Sequence, residues 1–555
     1  MSSVVYAMHR AESADAGEQT RPGRPSKRDV TLVFIGLMVT MLMSSLSQTV
    51  LSTAMPTIVG DLGGVDRMTW VITGYGLALT VMMPVYGRIS DLFGRKPLLL
   101  IAIALFMCGS AVGGLAGSMN LLVTARVIQG LGGGGLMILS QSAIADVVPA
   151  RERGKYMGVM GAVFAVSSVA GPLIGGWLTS GPGWRWAFWI NLPLGVLALA
   201  AVSVFLHLPK PSRENQSHID YFGMALIAAI TVIVVLVCTN ASKPHTWNWA
   251  EVIVSLAVLI AAFIAVELKV KEPVMPMNLF RNSNFDVATL GALLIGVAMF
   301  GVLSYLPTYI QMTTGVTATQ AGLLMSPMMA SVLVTSIASG ALVSKTGKYK
   351  VFPIVGTSIM AVGLVLLSTL KADSPVWLLC VYTVIFGLGL GLGQQILMLI
   401  VQDAFPASIV GTATASFNYF KQVGATIGTA IVGGIFTSRL TGFVHDNLAA
   451  AMAHMAAAGA GAAGSATAGA GAADAAGAGS AKGLAAMQGA ASHLSASNLT
   501  PSGVNALPDM LRIPIVDAYN SALLPIFLWM VPFMVAAVLV FFFVRQKELS
   551  TTIER

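Results

Sequence analysis

Apolar residues run along this chain in long blocks, and polar residues are confined to short stretches between them. A bilayer-crossing helix needs about 20 mostly apolar residues. Fourteen segments meet that requirement, near residues 30–52, 68–88, 97–117, 121–147, 156–179, 186–206, 220–239, 250–268, 286–310, 320–343, 351–370, 376–401, 416–437 and 521–544. Several contain Gly and Pro, which membrane helices tolerate when neighbouring groups satisfy the backbone. The pattern predicts an all-α integral membrane protein with fourteen spans. Residues 449–490 are different, being almost wholly Ala and Gly with a few Ser. Ala favours helix but frequent Gly opposes it, and few large apolar side chains are present to pack. A flexible loop is expected there, inside a non-spanning segment 438–520.

Composition agrees with this reading. Charged residues make up 10% of the chain, against about 25% in ordinary soluble domains, so lipid must cover most of the surface. Lys and Arg fix the orientation, because cytoplasmic loops carry the excess. With the N-terminus inside, 22 of them fall in inner loops and tails and 7 in outer segments. Both termini are therefore expected in the cytoplasm of a multi-pass protein of the plasma membrane, in a bacterium the inner membrane. The net charge of +8 does not indicate nucleic acid, since the basic residues sit in loops between apolar runs. Residues 1–28 lack the apolar core of a signal peptide and read as a cytoplasmic tail. The three cysteines lie inside apolar runs and all seven histidines in tails or loops, so no metal site is expected. No cofactor motif, no GxxxxGK[ST], no HExxH and no sign of a buried catalytic carboxylate pair point to an enzyme or an ATP-driven pump.

The two ends of the chain repeat each other. RVIQGLGGGG at 126–135 matches TVIFGLGLGLG at 383–393 at an offset of 257, pairing Gly130 with Gly387 and Gly132 with Gly389. The same offset pairs Asp146 with Asp403, Pro149 with Pro406, Gly154 with Gly411, Gly171 with Gly428 and Gly176 with Gly433. GRISDLFGRK at 87–96 faces GALVSKTGKY at 340–349 at an offset of 253. The duplication implies two six-helix bundles, spans 1–6 (residues 30–206) and spans 9–14 (286–544), with spans 7 and 8 (207–285 with their loops) inserted. Tails would be 1–29 and 545–555. Such repeats place a substrate site at their interface near the bilayer midplane.

GRISDLFGRKP between spans 2 and 3 is the strongest motif. Gly87 and Gly94 permit a tight turn and close helix contact. Asp91 can accept hydrogen bonds at a helix N-terminus, where its charge is favoured, while Arg95 and Lys96 stay at the inner surface. With Asp146 and Asp403, at matching span ends, these residues could latch the two bundles together. At this motif the chain resembles the major facilitator superfamily, whose second–third helix loop carries G-x-x-x-D-x-x-G-R-[RK]. RVIQGLGGG at 126–134 is similar to the family's fourth-helix motif. AGPLIGGWL at 170–178, with Gly171, Pro172, Gly175 and Gly176, is similar to the fifth-helix motif associated with antiporters. WRWAFWINLPLG at 184–195 and the inserted helices resemble the fourteen-span drug:proton antiporter branch. The resemblance implies a monomeric exporter of hydrophobic small molecules driven by protons.

Arg126 lies inside span 4, and an ionisable residue within a membrane helix is by default functional. The resemblance gives it a role in proton coupling or substrate contact; an arginine snorkelling to the outer surface is the structural alternative. Lys421 reads as near the inner end of span 13. Gln48, Tyr75, Gln129, Gln141, Asn191, Gln394, Gln395 and Asn418 are candidate cavity-lining polar groups. In one place the chain departs from the branch. Its first-helix pattern, L-D-x-T-I-V-x-x-A-L-P, reads LSQTVLSTAMP at 46–56, so Ser47 stands where the aspartate is expected. No carboxylate is found near any midplane. A proton carrier needs a titratable group, which arginine is not. The carrier is therefore unassigned, and neutral, zwitterionic or anionic cargo gains weight, with Arg126 as a possible anion partner. The main alternative to drug export is a facilitator-type carrier for a lipid, siderophore or metabolite; a non-transporting receptor or scaffold is a weaker one.

Overall fold

The structure, a computed structural model, describes residues 27–64, 67–206, 219–240, 248–465, 504–505 and 509–549. Among the described residues there is no strand, and 14 helices are long and apolar enough to cross a membrane. In chain order, spans 1–6 are Thr31–Leu62, Met68–Phe93, Arg95–Gly114, Met119–Val147, Ala150–Ser180 and Trp186–Phe205. Spans 7 and 8 are Tyr221–Thr239 and Trp249–Glu267. Spans 9–14 are Ser283–Thr314, Thr319–Thr346, Val351–Ser368, Val376–Asp403, Val410–Leu440 and Arg512–Phe541.

Where helix limits differ from those expected, backbone chemistry overrides hydropathy. Span 1 continues to Leu62 through Pro56. Span 5 starts at Ala150, not 156, because Pro149 occupies its N-cap and ends the preceding turn. Span 13 starts at Val410, not 416, and its helix continues to Ser465. Part of the expected flexible loop is therefore helical: through residue 458 the run is dominated by Ala, the best helix former, before glycine becomes frequent. The remainder of that loop, like residues 1–26, lies outside the described residues.

The two six-helix bundles pack by one plan. Span 4 packs on spans 2 and 3, as span 12 packs on spans 10 and 11. Span 1 packs on spans 5 and 6, as span 9 packs on spans 13 and 14. The repeat glycines make this possible. A Cβ on Gly171 of span 5 would strike Thr49 of span 1; a Cβ on its mate Gly428 would strike the Val297 carbonyl of span 9. Gly94 and Gly347 hold matching turns with φ of 92° and 72°, values that glycine alone adopts freely.

The bundles meet along span 5 against span 10 and span 13 against span 2. The inserted pair sits over the second seam. Span 7 packs on both span 2 and span 13, and span 8 packs on span 7. Thr231 of span 7 and Tyr419 of span 13 share a hydroxyl hydrogen bond of 3.0 Å.

Candidate functional site

Three polar layers lie along the molecule, two of them at the bundle interface. The first is at the end that carries the span 2–3 turn. Gly87 has no room for a side chain, because a Cβ would lie 2.9 Å from the Gly411 carbonyl of span 13. One turn on, Asp91 reaches the first turn of span 13. Its Oδ1 accepts from Gly411 N at 3.1 Å, and its Oδ2 from Thr412 N at 2.6 Å and Thr412 Oγ1 at 2.7 Å. The first N–H groups of a helix lack internal partners and favour a negative charge. Arg95 completes the layer. Its guanidinium lies 3.4 Å from Asp91 and 3.0 Å from Asp146, and it donates to the carbonyls of Ser142 and, at 3.2 Å, Ala407.

The sister turn makes the sister contact. Gly340 of span 10 meets the backbone of Gly154 of span 5. Thus Gly87 pairs with Gly411, and their repeat mates Gly340 and Gly154 pair with each other. Ser344, the mate of Asp91, accepts from Lys155 N at 3.2 Å. Arg151 donates to the carbonyls of Ser344 and Lys345, both at 3.3 Å. The contact continues up span 5, where Gly158 meets the Ser336 carbonyl and Gly161 meets Gln395. The small-residue spacing of 154, 158 and 161 is the signal for this seam, and the sequence reading left it unused.

Two residues grouped with this latch behave differently. Lys96 turns to span 6 and donates to the Ser203 carbonyl at 2.7 Å. Asp403 ends span 12 near Tyr349, whose buried hydroxyl is pushed up in pKa mainly by desolvation and in part by Asp403. The bonds made by Arg95 and Arg151 do not include Asp403.

The second layer joins the bundles one step deeper. Asn418 of span 13 donates to Gln141 Oε1 of span 4 at 2.9 Å. Gln402 of span 12 donates to the Gln141 carbonyl at 3.1 Å and to Thr414 Oγ1 at 3.3 Å. Arg153 donates to the Gln402 carbonyl at 3.4 Å. Lys421 follows Asn418 by one turn on the same helix face. Because span 13 begins at Val410, Lys421 is roughly 16 Å from its start at 1.5 Å per residue. That corrects the sequence reading, which set it near the inner end. Gln394 donates weakly to Met299 Sδ at 3.8 Å.

The third layer belongs to the first bundle alone. Arg126 is 2% exposed and does not snorkel. It folds over the Tyr75 ring, 4.0 Å from the centroid, a cation–π contact. Its guanidinium donates to Ser47 Oγ at 3.1 Å, Gln129 Oε1 at 2.9 Å and the Val71 carbonyl at 3.3 Å. Gln129 donates onward to Ser110 at 2.6 Å, and Tyr75 shares a 2.9 Å bond with Ser44. The position of the missing aspartate is therefore in direct contact with Arg126, and Ser47 supplies a neutral acceptor in its place. Gln48, beside it, is exposed. Asn191 is not part of this group; it is buried and donates to the Ala187 carbonyl of its own turn at 3.3 Å.

The fifth-helix glycines divide their work. Gly171 and Gly175 face Thr49 and Val50 of span 1, whereas Pro172 and Gly176 meet Gly322 and Thr319 at the far end of span 10. At that same far end a cleft of about 420 Å³ opens between spans 2, 7, 9 and 13, lined by Thr73, Gly76, Cys238, Tyr305, Gln422 and Thr429 among others. The two ends thus differ, with close glycine packing between the bundles at one and this cleft at the other.

The family model of the Major Facilitator Superfamily matches residues 37–429. An uncharacterized MFS-type transporter of Mycobacterium tuberculosis (strain ATCC 25618 / H37Rv) is 37% identical over 421 residues, 75% of this chain and 60% of that one. The chain thus matches less than two thirds of that relative's length. Multidrug transporter protein MdtP of Bacillus subtilis (strain 168) is 36% identical over 436 residues, 78% of this chain and 79% of that one. Among solved structures, the human organic anion transporter MFSD10 (TETRAN) superposes with a TM-score of 0.55 at 16% identity, over 74% of this chain and 94% of that one, which speaks to the fold alone. The match of the family model across most of the chain, on fourteen spans arranged as a duplicated bundle, shows that this protein belongs to the Major Facilitator Superfamily.

Proposed function

We propose that the protein is a secondary-active transporter that exports drugs or other hydrophobic small molecules across the plasma membrane by alternating access, in exchange for protons. One observation carries the alternating-access part. Gly87 on Gly411 and Gly340 on Gly154 are two related seals at one end of the bundle interface, and a cleft lies at the other end. Opening one end while closing the other moves a central site between the two sides. The excess of Lys and Arg assigns the sealed end to the cytoplasm, so the conformation is open outward. The export assignment rests on the multidrug transporter to which the chain is similar. We assign residues 30–206 and 286–544 to the two moving bundles and 207–285 to the inserted pair.

In this scheme Asp91, Arg95 and Asp146 hold the cytoplasmic end shut, and Gln141, Asn418 and Gln402 form a polar plug behind them. Arg126 and Lys421 are the cationic groups of the central region. The groups that Arg126 touches are neutral, and this favours a second reading of the cargo as a compound bearing an anionic group. Transport in everted vesicles under an imposed pH gradient tests the proposal. Accumulation of lipophilic compounds with matching proton efflux from the vesicle is expected. If no such compound moves and none displaces protons, the drug-antiport reading fails and an anionic metabolite becomes the next cargo to try.

A further inference from the structure

The inserted helix pair ends, on the latch side, in two buried carboxyl groups on different helices. Asp220 is 6% exposed and Glu267 3% exposed. Asp220 opens span 7, and its Oδ1 accepts from Gly223 N at 2.8 Å as a helix cap. Glu267 closes span 8, and its Oε2 accepts from Met275 N at 3.0 Å in the turn beyond. Each carboxyl leaves its other oxygen, Asp220 Oδ2 and Glu267 Oε1, buried without a hydrogen bond among the described residues. Both of these oxygens crowd the spot where a Cβ on Gly223 would stand, Glu267 Oε1 at 2.9 Å from it. Glycine at 223 is what lets them converge.

Two carboxylates sharing a buried site repel, and each unsatisfied oxygen adds its own desolvation cost. A single proton removes both problems at once. It turns one oxygen into a donor to the other and leaves one shared negative charge, as in paired acid sites elsewhere. Among the described residues, the charged groups around the pair are few. Arg88 of span 2 is buried, ion-paired with Glu272, and its Nε is without a partner. Lys269 and Lys271 are exposed. Tyr221, next to Asp220, points to the outside with 74% exposure.

We propose that Asp220 and Glu267 form a proton-binding site in which the two carboxyls share one proton, and that its occupancy sets the strength of the latch. The proton comes from, and returns to, water at the adjacent membrane surface, and no other bond changes. The route to the latch is short. Arg88 directly follows Gly87, the residue pressed against Gly411. Loss of the proton adds a negative charge beside Arg88, which then competes with Glu272 for the guanidinium and pulls on the Gly87 contact. Span 7 packs on both bundles, so its start is placed to act on the seam. The pair escaped the sequence reading because its members lie at the ends of separate helices.

The experiment uses the full chain in lipid nanodiscs without cargo, so it does not depend on the export proposal. Infrared spectra are taken across a pH titration, and the distance between spin labels at Phe93 and Ser408, both exposed, is measured at each end of that titration. Asp220→Asn keeps the Oδ1 cap and offers an amide donor to Glu267, so it mimics the protonated pair. In the wild type, a neutral-carboxyl carbonyl band is expected to vanish as pH rises while the longer label distance gains population. In Asp220→Asn and in Glu267→Gln that band component is absent and the distance no longer responds to pH. The proposal is overturned if both variants keep the wild-type band, if the distance response persists in Asp220→Asn, or if sodium at fixed pH removes the band as effectively as base.

Discussion

The two glycine seams between the bundles are built on the same repeat pairs and differ in charge. On one seam Asp91 sets a carboxylate on the first turn of span 13, at N–H groups that have no other helical partner. On the other, Ser344 Oγ accepts from Lys155 N, well inside span 5, whose helix begins at Ala150. A hydrogen bond to a charged group contributes about 1.5–3 kcal/mol, and a neutral one about 0.5–1.5 kcal/mol. The same asymmetry recurs in spans 4 and 12. Arg126 is matched by Thr383, which is buried and donates only to the Cys380 carbonyl of its own turn at 2.9 Å. The repeat supplies the geometry twice, and at these two pairs of positions, 91/344 and 126/383, only the first copy carries an ionisable group. On the proposed alternating-access reading, the first bundle supplies the charged side of these contacts and the second the surface it closes on.

Four substitutions, the first with a control in the sister copy, break or sharpen this comparison in descending order of effect. Arg126→Ala removes charged hydrogen bonds and the cation–π contact; at about 1.5–3 kcal/mol per bond, vesicle transport falls by roughly tenfold to a hundredfold. Expression and melting temperature measured alongside separate this from misfolding, and Thr383→Val is expected to change transport by no more than about twofold, the equivalent of roughly 0.4 kcal/mol. Full activity in Arg126→Ala would remove it from the mechanism. Asp91→Asn keeps shape and loses charge, so the latch end opens about tenfold more often, for a cost near 1.4 kcal/mol. Accessibility of a cysteine at Ser408 to a membrane-impermeant thiol reagent applied from the latch side, in a variant lacking native cysteines, reports that opening.

Ser344→Asp adds a carboxylate to the neutral seam. It is expected to hold the latch end shut and slow turnover by about fivefold, the equivalent of roughly 1 kcal/mol, with binding from the open end unchanged. Faster turnover would mean that the second seam does not limit closure. Ser344→Ala is the mildest change, removing one neutral bond of about 0.5 kcal/mol, and should alter turnover by about twofold, as read in the same vesicles.

Much of this was legible in the sequence. The fourteen spans followed from block length, because lipid enforces runs of apolar residues that no other setting requires. The repeat offset paired Gly87 with Gly340 and Gly154 with Gly411, although it could not reveal that each pair would be exchanged across the seam. That exchange depends on the pseudo-twofold packing of the bundles, which a linear offset does not encode. Asp91 was readable as a group for a helix N-terminus, but the helix it serves lies far along the chain. Lys421 was misplaced because polar residues at 411–418 mimic a loop, whereas they form the buried first turns of span 13. Ser47 was seen only as a missing acid. Its role as an acceptor for Arg126 needed the folding of spans 1 and 4 onto each other.

The central claim is that Asp91 on the start of span 13 is the dominant lock of the latch end. The most direct test is the distance distribution between spin labels at Phe93 and Ser408, compared among the wild type, Asp91→Asn and Ser344→Ala at one pH, at the acidic end of the titration where the Asp220–Glu267 pair holds its proton. A single short distance is predicted for the wild type and for Ser344→Ala, with a second, longer population appearing only in Asp91→Asn. A distribution unchanged by Asp91→Asn, or a longer population produced equally by Ser344→Ala, would contradict it.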